Sequence, residues 1–450
     1  MPVVQAQTHE FSPQGNRRSA LWLATLGFFG GFAGVAIFGP MAPKFAALLH
    51  LTPFQAGLLA GIPSLTGALL RLPFGAWVDR GGGRRPFLIL LGLTLVGMAG
   101  LLLLLATSYP DHMAGLYPLL LALGMLIGCG IATFSVGIPQ VSYWFPRRQQ
   151  GGPLGVYAGL GNTAPGLSSW LLPVAVGSLG MLAAYGFWFL VLAVITAVYA
   201  LAMRDAPFFQ ARRQGLTLNA DQLAQLDQDL VPTGSAWAGL KRAAQTSETW
   251  ALVFMYFISF GGFLALTAWL PTFWHATYAT SLARGGLLTL TFALLTALVR
   301  VPGGLLSDRV SIRFALSGNL VLMAIGALLV AGTPLFTLSL TGTVLIALGM
   351  GLQNAIVFKL LPHYVPHAVG GAAGWVGGLG ALGGFILPPL LGTIAGAVGG
   401  TEGYHRAFLI VVALAVLGLV DVGWLTHWRW QTVLGAGRMG RGPTTPGPST

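Results

Sequence analysis

The chain has 450 residues, of which 55% are hydrophobic and only 8% are charged. Soluble globular proteins carry about 25% charged residues, so this composition excludes a water-soluble fold and indicates a polytopic membrane protein. The formal net charge of +12 does not indicate a nucleic-acid partner, because most basic residues lie in short loops between apolar runs, as is typical of membrane topology.

Twelve apolar runs have the length of about 20 residues that crosses a bilayer as a helix. The predicted fold class is therefore an all-α membrane protein with twelve transmembrane helices. A β-barrel is disfavoured, because its strands are alternating segments of only about ten residues. In chain order, spans one to twelve cover residues 20–48, 54–78, 86–107, 114–140, 153–175, 180–203, 249–274, 285–307, 314–332, 335–360, 369–397 and 405–428.

Lysine and arginine are distributed unevenly between the two sides of the membrane. With both termini inside, the cytoplasmic loops and tails hold most of the basic residues, and the outer loops hold Lys44, Arg284 and Arg406. Basic residues accumulate on the cytoplasmic side of membrane proteins. Residues 1–19 are polar and lack the apolar region of a cleavable signal peptide. We therefore expect a multi-pass protein of the cytoplasmic membrane with both termini in the cytoplasm.

A ten-residue repeat relates the two halves of the chain. Span two ends in RLPFGAWVDR (71–80) and span eight ends in RVPGGLLSDR (300–309), with five of the ten positions identical. Six spans separate the copies, so the repeat is parallel, and two six-helix pseudo-symmetric halves that rock about a midplane site form a transporter architecture. The predicted domains are an N-terminal half at 1–203, a cytoplasmic linker at 204–248, a C-terminal half at 249–430 and a disordered tail at 431–450.

The end of the first copy resembles the loop motif of the major facilitator superfamily, G-x-x-x-D-R-x-G-R-R. Residues 75–85 (GAWVDRGGGRR) fit it with one extra glycine before the arginines. In that superfamily the motif latches the cytoplasmic ends of the helices and controls opening, and the resemblance implies the major facilitator fold. It also implies a gating role, distinct from substrate binding, for Asp79, Arg80, Arg84, Asp308 and Arg309.

Arg71 and Arg300 are predicted to lie near the middle of the bilayer. Each stands eight residues before the aspartate that closes its span, which is about 12 Å of helix at 1.5 Å per residue. Half of the hydrocarbon core is about 15 Å thick. An arginine at this depth costs at least about 2.5 kcal/mol on insertion scales, so it requires a partner.

Matched carboxylates for these two arginines are missing from the sequence. Asp79 and Asp308 lie at span ends, and Asp421 in span twelve is a single acid. A salt bridge inside the bundle is one explanation, but an anionic ligand fits better, because guanidinium groups stay charged and offer paired donors to oxyanions. The spans also hold no glutamate or histidine near the arginines, which favours exchange of anions over coupling to protons.

Two glycine-rich runs add a second resemblance. Span five contains AGLGNTAPG (158–166) and span eleven contains GGAAGWVGGLGALGGF (370–385). Close helix packing alone would explain glycine at three- and four-residue spacing. Together with one arginine each in spans two and eight, however, the runs resemble the signature motifs of the nitrate/nitrite porter family. The match departs at Ala164 and Pro165, where glycine is commoner in the family.

The resemblance implies a flat anion held between the arginines of the two halves. Nitrate carries one charge on three acceptor oxygens, so two guanidinium groups can grip its edges, and Asn162 can donate through a neutral amide. By resemblance, Phe134, Tyr256 and Phe358 lie around the anion. The glycine faces are expected to slide and gate, and the glycines concerned are Gly159, Gly161, Gly377 and Gly378.

The implied function is exchange of nitrate for nitrite by alternating access. Nitrate and nitrite are the expected substrates of a monomer in membrane lipid, with no cofactor and no metal. An enzyme is not expected, since the sequence contains no HExxH, GxSxG or P-loop motif. Three alternatives stay open: proton-coupled nitrate uptake, an organic-anion or phosphate-ester carrier of the same superfamily, and an anion sensor without net flux.

Overall fold

The computed structural model of the protein describes residues 12–226, 228, 232, 236–300, 303 and 310–439. Within these ranges every regular element is a helix, and ten helical runs of this part are long and apolar enough to cross a membrane. Spans five and eight supply shorter helices, because span five is divided at Asn162 and the described helix of span eight ends at Leu298. The all-α membrane fold is confirmed.

The helices of the N-terminal half follow the six predicted spans. Span two consists of two consecutive helices, and Arg71 begins the second of them. The helices are α1 (Arg17–Phe32), α2 (Ala42–Leu49), α3 (Pro53–Leu69), α4 (Arg71–Gly81), α5 (Arg84–Ser108), α6 (Tyr117–Gly128), α7 (Thr133–Ser142), α8 (Gly151–Gly161), α9 (Ala164–Leu179) and α10 (Met181–Ala202).

Three short helices of the linker precede those of the C-terminal half. They are α11 (Pro207–Arg213), α12 (Ala220–Gln225) and α13 (Ala236–Ala244). The half itself contains α14 (Ser247–Tyr256), α15 (Gly262–Tyr278), α16 (Leu282–Leu298), α17 (Ile312–Gly332), α18 (Phe336–Tyr364), α19 (Val369–Leu379), α20 (Gly383–Val398), α21 (Gly400–Arg406) and α22 (Leu409–Met439). The last helix continues into 431–439, the start of the tail predicted to be disordered, and 440–450 lie outside the described residues.

Short irregular turns interrupt several spans. Ala33–Ala36, Cys129–Ala132 and Gly380–Leu382 form 3-10 turns, and Phe257–Gly261 forms a π turn between α14 and α15. Such π turns are frequent at functional sites. The turn at Gly380 packs directly against the start of the π turn, because a Cβ on Gly380 would lie 2.8 Å from the ring of Tyr256. Spans seven and eleven therefore meet through two irregular segments.

The two halves pack tightly on the side predicted to face outward. A Cβ on Gly57 of span two would collide with the carbonyl oxygen of Pro388 in span eleven, and one on Gly286 of span eight would collide with that of Ser169 in span five. Only glycine permits such an approach of two helices. At Gly155, on the inner part of span five, a Cβ would meet no described atom within 4 Å. The outer parts of the two halves are therefore in close backbone contact.

The linker helix α13 packs along α19, the inner part of span eleven. A Cβ on Gly371 would collide with the carbonyl oxygen of Gly239, and the indole Nε1 of Trp375 donates a 2.9 Å hydrogen bond to the carbonyl oxygen of Leu240. The same helix also contacts the N-terminal half, because a Cβ on Gly378 would lie 3.1 Å from the side chain of Leu72. The linker is thus attached to a helix that contacts both halves.

Gly371→Ala is expected to release α13 from α19. Overpacking costs about 1–3 kcal/mol, so trypsin should cut at the exposed, helical Lys241 and Arg242 about tenfold faster or more. Limited proteolysis of the purified protein measures this rate. Gly370→Ala is the control, because a Cβ there meets no described atom within 4 Å. Equal cleavage rates in the two variants would contradict the docking of α13.

Candidate functional site

Arg71 is buried at the junction of α3 and α4, with only 2% of its surface exposed. Its Nη1 donates a hydrogen bond of 2.7 Å to the carbonyl oxygen of Gly377 in span eleven. Its Nε and Nη2 have no hydrogen-bond partner in the described part of the chain. A guanidinium that is paired with one neutral oxygen keeps several donors available for an anion.

Two aromatic rings flank this guanidinium. The Cζ atom of Arg71 lies 5.0 Å from the ring centroid of Phe134 and 5.1 Å from that of Phe260. Both distances fall within the range of about 6 Å for cation–π interactions. The two rings are 6.3 Å apart with 26° between their planes. Arg71 therefore lies beside a pair of nearly parallel aromatic faces.

Arg300 approaches the same ring from the other half of the molecule. Its Cζ atom lies 5.8 Å from the centroid of Phe260, and its charge repels that of Arg71. The repeat contains one arginine in span two and one in span eight. Both arginines thus converge on one residue of span seven. Two positive charges around a buried ring are a candidate site for a negatively charged ligand.

Tyr256 extends the aromatic cluster toward span ten. Its ring stacks on Phe260 at 4.9 Å and meets Phe358 edge-on at 5.0 Å. Its buried hydroxyl has no hydrogen-bond partner of normal geometry among the described residues, and it interacts electrostatically with Arg300 and Arg71. The hydroxyl is therefore an available donor beside both positive charges.

Asn162 occupies the break between α8 and α9 and is 1% exposed. Its Nδ2 donates a 2.6 Å hydrogen bond to the carbonyl oxygen of Ala158 one turn earlier. Its Oδ1 is buried without a partner within the described ranges. The neighbouring Gly161 packs against the ring of Phe28, which lies 5.4 Å from Phe134. Span five thus reaches the ring cluster through Phe28, and the role of Asn162 as a ligand stays a prediction.

The aspartate predicted to gate span two contacts its own half of the molecule. Asp79 accepts a 2.6 Å hydrogen bond from the hydroxyl of Tyr143 at the end of span four. The backbone nitrogen of Arg84 donates to Asp205 over 2.9 Å, and the carboxylate of Asp205 also pairs with Arg213 of the linker. The loop after span two is therefore tied to span four and to the linker.

The gating role of the loop motif stays a prediction. Arg80 is exposed in the last turn of α4. Arg84 also donates from Nη2 to the carbonyl oxygen of Ala200 over 2.6 Å, so it binds the end of span six. The second copy of the motif cannot be compared, since Asp308 and Arg309 lie outside the described residues.

The four glycines predicted to gate have different surroundings. A Cβ on Gly159 would meet no described atom within 4 Å, whereas Gly161 and Gly378 pack closely against other spans. Gly377 differs again, because its carbonyl oxygen accepts the hydrogen bond of Arg71. The backbone of this glycine therefore lies at the candidate anion site, a position that its residue type did not indicate.

Phe260 is a residue of the candidate site that was not predicted from the sequence. It contacts both arginines and lies 6.3 Å from Phe134 and 4.9 Å from Tyr256. A signal was present, because Phe260 follows Tyr256 by four positions and therefore occupies the same helix face.

Comparisons with known proteins give a consistent result. The sequence profile of the Major Facilitator Superfamily matches residues 24–287 and 275–433. The "Probable nitrate/nitrite antiporter NarK1" of Thermus thermophilus is 31% identical over 448 residues, which cover 93% of this chain and 92% of the relative. The "Probable nitrate/nitrite transporter NarK2" of Mycobacterium tuberculosis is 31% identical over 402 residues, which cover 88% of this chain and 93% of the relative.

Solved structures share the architecture at low sequence identity. The D-xylose-proton symporter aligns with a TM-score of 0.69 at 14% identity and covers 91% of this chain and 97% of the symporter. At that identity the likeness establishes the fold and leaves the substrate to the chemistry of the site.

Proposed function

The chain belongs to the nitrate/nitrite porter family of the Major Facilitator Superfamily, and we propose that it carries nitrate and nitrite across the cytoplasmic membrane. The observation that carries this proposal is the convergence of Arg71 and Arg300 on Phe260, with donors of Arg71 unpaired. Relatives named as nitrate/nitrite carriers support the same substrates.

The chemistry of the cluster suits a small planar anion. Nitrate presents three oxygens at its edge, where the guanidinium groups of Arg71 and Arg300 and the hydroxyl of Tyr256 can donate. The rings of Phe134 and Phe260, whose centroids are 6.3 Å apart, offer aromatic faces against which a flat anion can lie. A tetrahedral dianion has no flat face for these rings and would need a further positive charge.

The repulsion between the two arginines supplies a reason for exchange. Both Cζ atoms lie within 5.8 Å of the Phe260 centroid, so at most about 11 Å separates them. At an effective dielectric constant of about 20, unit charges at that distance repel by about 1.5 kcal/mol. A bound anion cancels this repulsion and lets the halves close around it. The empty carrier retains the repulsion and reorients slowly, which enforces exchange of one anion for another.

We further propose how the carrier is arranged in the membrane. Both termini lie in the cytoplasm, because the basic residues cluster in the loops on that side. One chain suffices for function, since spans two and eight of the same molecule supply both arginines of the site. The lipid-facing surface is apolar and requires only ordinary membrane lipid.

Exchange is tested with proteoliposomes that contain the purified chain. Vesicles loaded with nitrite are expected to take up labelled nitrate about tenfold faster than vesicles loaded with chloride, because about 1.5 kcal/mol of repulsion slows the return of the empty carrier. A third arm imposes an inward proton gradient without internal nitrite. Uptake driven by that gradient alone would replace exchange with proton symport, and absence of nitrate flux in every arm would overturn the proposed substrate.

A further inference from the structure

Asn354 in span ten is buried with its whole amide unpaired. The side chain is 1% exposed, and neither its Nδ2 nor its Oδ1 has a hydrogen-bond partner among the described residues. Buried polar groups in proteins are almost always paired, because leaving them without water or a partner costs free energy. An amide with a free donor and a free acceptor therefore requires an explanation.

Three other buried amides of the described part are each paired at one end. Gln353 donates to the carbonyl oxygen of Met255 over 3.3 Å, Gln140 accepts from the hydroxyl of Tyr199 over 2.9 Å, and Asn162 donates to its own helix. Gln353 and Gln140 thereby join neighbouring spans. In that part of the chain, Asn354 differs because both of its polar side-chain atoms lack a hydrogen-bond partner.

The helix face of Asn354 points toward the anion site. Gly351, three residues earlier, packs against Val299 of span eight, and Val299 immediately precedes Arg300. Phe358, four residues later, contacts the ring of Tyr256 at 5.0 Å. Residues three and four apart share one face of a helix. The amide therefore lies between the part of span ten that touches span eight and the part that touches Tyr256.

A second neighbour defines the other edge of this face. Met350, four residues before Asn354, reaches Gly262 of span seven, since a Cβ on Gly262 would lie 2.6 Å from the Met350 methyl carbon. Span ten thus inserts this face between spans seven and eight, the two spans that carry Phe260 and Arg300. Asn354 is buried on this face of span ten.

We propose that Asn354 is a further ligand of the anion and that it discriminates nitrate from nitrite; this inference rests on the proposed function. Its Nδ2 donates, together with the hydroxyl of Tyr256, to the nitrate oxygen that the arginines leave free, and its Oδ1 accepts from the guanidinium of Arg300. Nitrite has two oxygens and lacks this third oxygen. A neutral amide recognises that oxygen without adding charge to a site that must also release its anion.

Asn354→Leu tests the proposal, because leucine keeps the volume and removes both polar atoms. Isothermal titration of the purified full-length protein with sodium nitrate and with sodium nitrite gives the two dissociation constants. The dissociation constant for nitrate is expected to rise about tenfold, because one hydrogen bond to a charged ligand is lost. The value for nitrite should change by less than about threefold. Asn354→Ser, which restores one donor, should recover part of the loss.

Asn319→Leu is the matched control. Asn319 is buried in span nine with its Nδ2 unpaired, but its backbone faces Gly349 on a different part of span ten. This variant should leave both constants unchanged. Equal nitrate affinity in the wild type and in Asn354→Leu, or equal weakening of nitrate and nitrite in both Asn354 variants, would overturn the inference. A wild-type protein that binds neither anion would instead overturn the proposed function.

Discussion

Replacement of Arg71 or Arg300 by lysine is expected to lower nitrate flux about 100-fold, although the positive charge is kept. A lysine ammonium is a point charge that lacks the planar paired donors of a guanidinium. At position 71 it cannot bond Gly377 and an anion in the same plane, nor does it offer a planar group beside the rings of Phe134 and Phe260. The loss of a charge-assisted bidentate contact, about 3 kcal/mol, corresponds to about 100-fold.

The measurement is initial uptake of labelled nitrate into nitrite-loaded proteoliposomes at matched protein content. Arg284→Lys is the control, because Arg284 also lies over an aromatic ring, 5.9 Å from the centroid of Phe336, but at the outer end of span eight. It should transport like the wild type. If both site variants keep flux within about threefold of the wild type, the guanidinium geometry is irrelevant to substrate binding.

The burial of Arg71 could be predicted from the sequence because few variables determine it. The length of an apolar span and the position of Asp79 at its end fix the depth of Arg71 through the rise of an α-helix. The scarcity of acidic residues then leaves the charge without a partner. The structure agrees, since Arg71 is 2% exposed and two of its nitrogens have no hydrogen-bond partner among described residues.

The contacts around the arginine could not be predicted in the same way. The bond from Arg71 to the carbonyl oxygen of Gly377 joins residues 306 positions apart, and any residue type can supply a carbonyl. The spacing from Tyr256 gives the helix face of Phe260, but it does not show that an arginine of span two and one of span eight both lie over this ring. The hydropathy pattern also does not predict which way the side chain of Asn354 faces, because span ten is apolar on every side.

The loop motif illustrates a different limit. Resemblance assigned Asp79 to a latch, and an aspartate at a span end is expected to bind a neighbouring helix. The sequence could not show which one. The structure pairs Asp79 with Tyr143 and recruits Asp205, which lies beyond span six and outside the motif. Polar partners distant in sequence become visible only when the packing of the helices is known.

Phe260→Leu is expected to impair transport almost as strongly as loss of an arginine. The ring is the one described aromatic group in contact with both guanidinium groups, and a desolvated cation–π contact contributes about 2 kcal/mol. Leucine keeps an apolar side chain but has no π face for the arginines or for a flat anion. We expect the half-saturating nitrate concentration in exchange to rise about 30-fold, with folding preserved.

Phe263→Leu separates this effect from general damage to span seven. Phe263 is equally buried and lies 5.9 Å from Phe260 and 6.3 Å from Phe292, and no cation–π contact to either arginine involves it in the described structure. Both variants remove a buried ring from span seven, so their thermal stabilities should fall alike. Only the loss of the ring at position 260 should weaken the binding of nitrate. Equal half-saturation in the two variants would mean that the ring between the arginines fills space, and the anion would then be held by the charges alone.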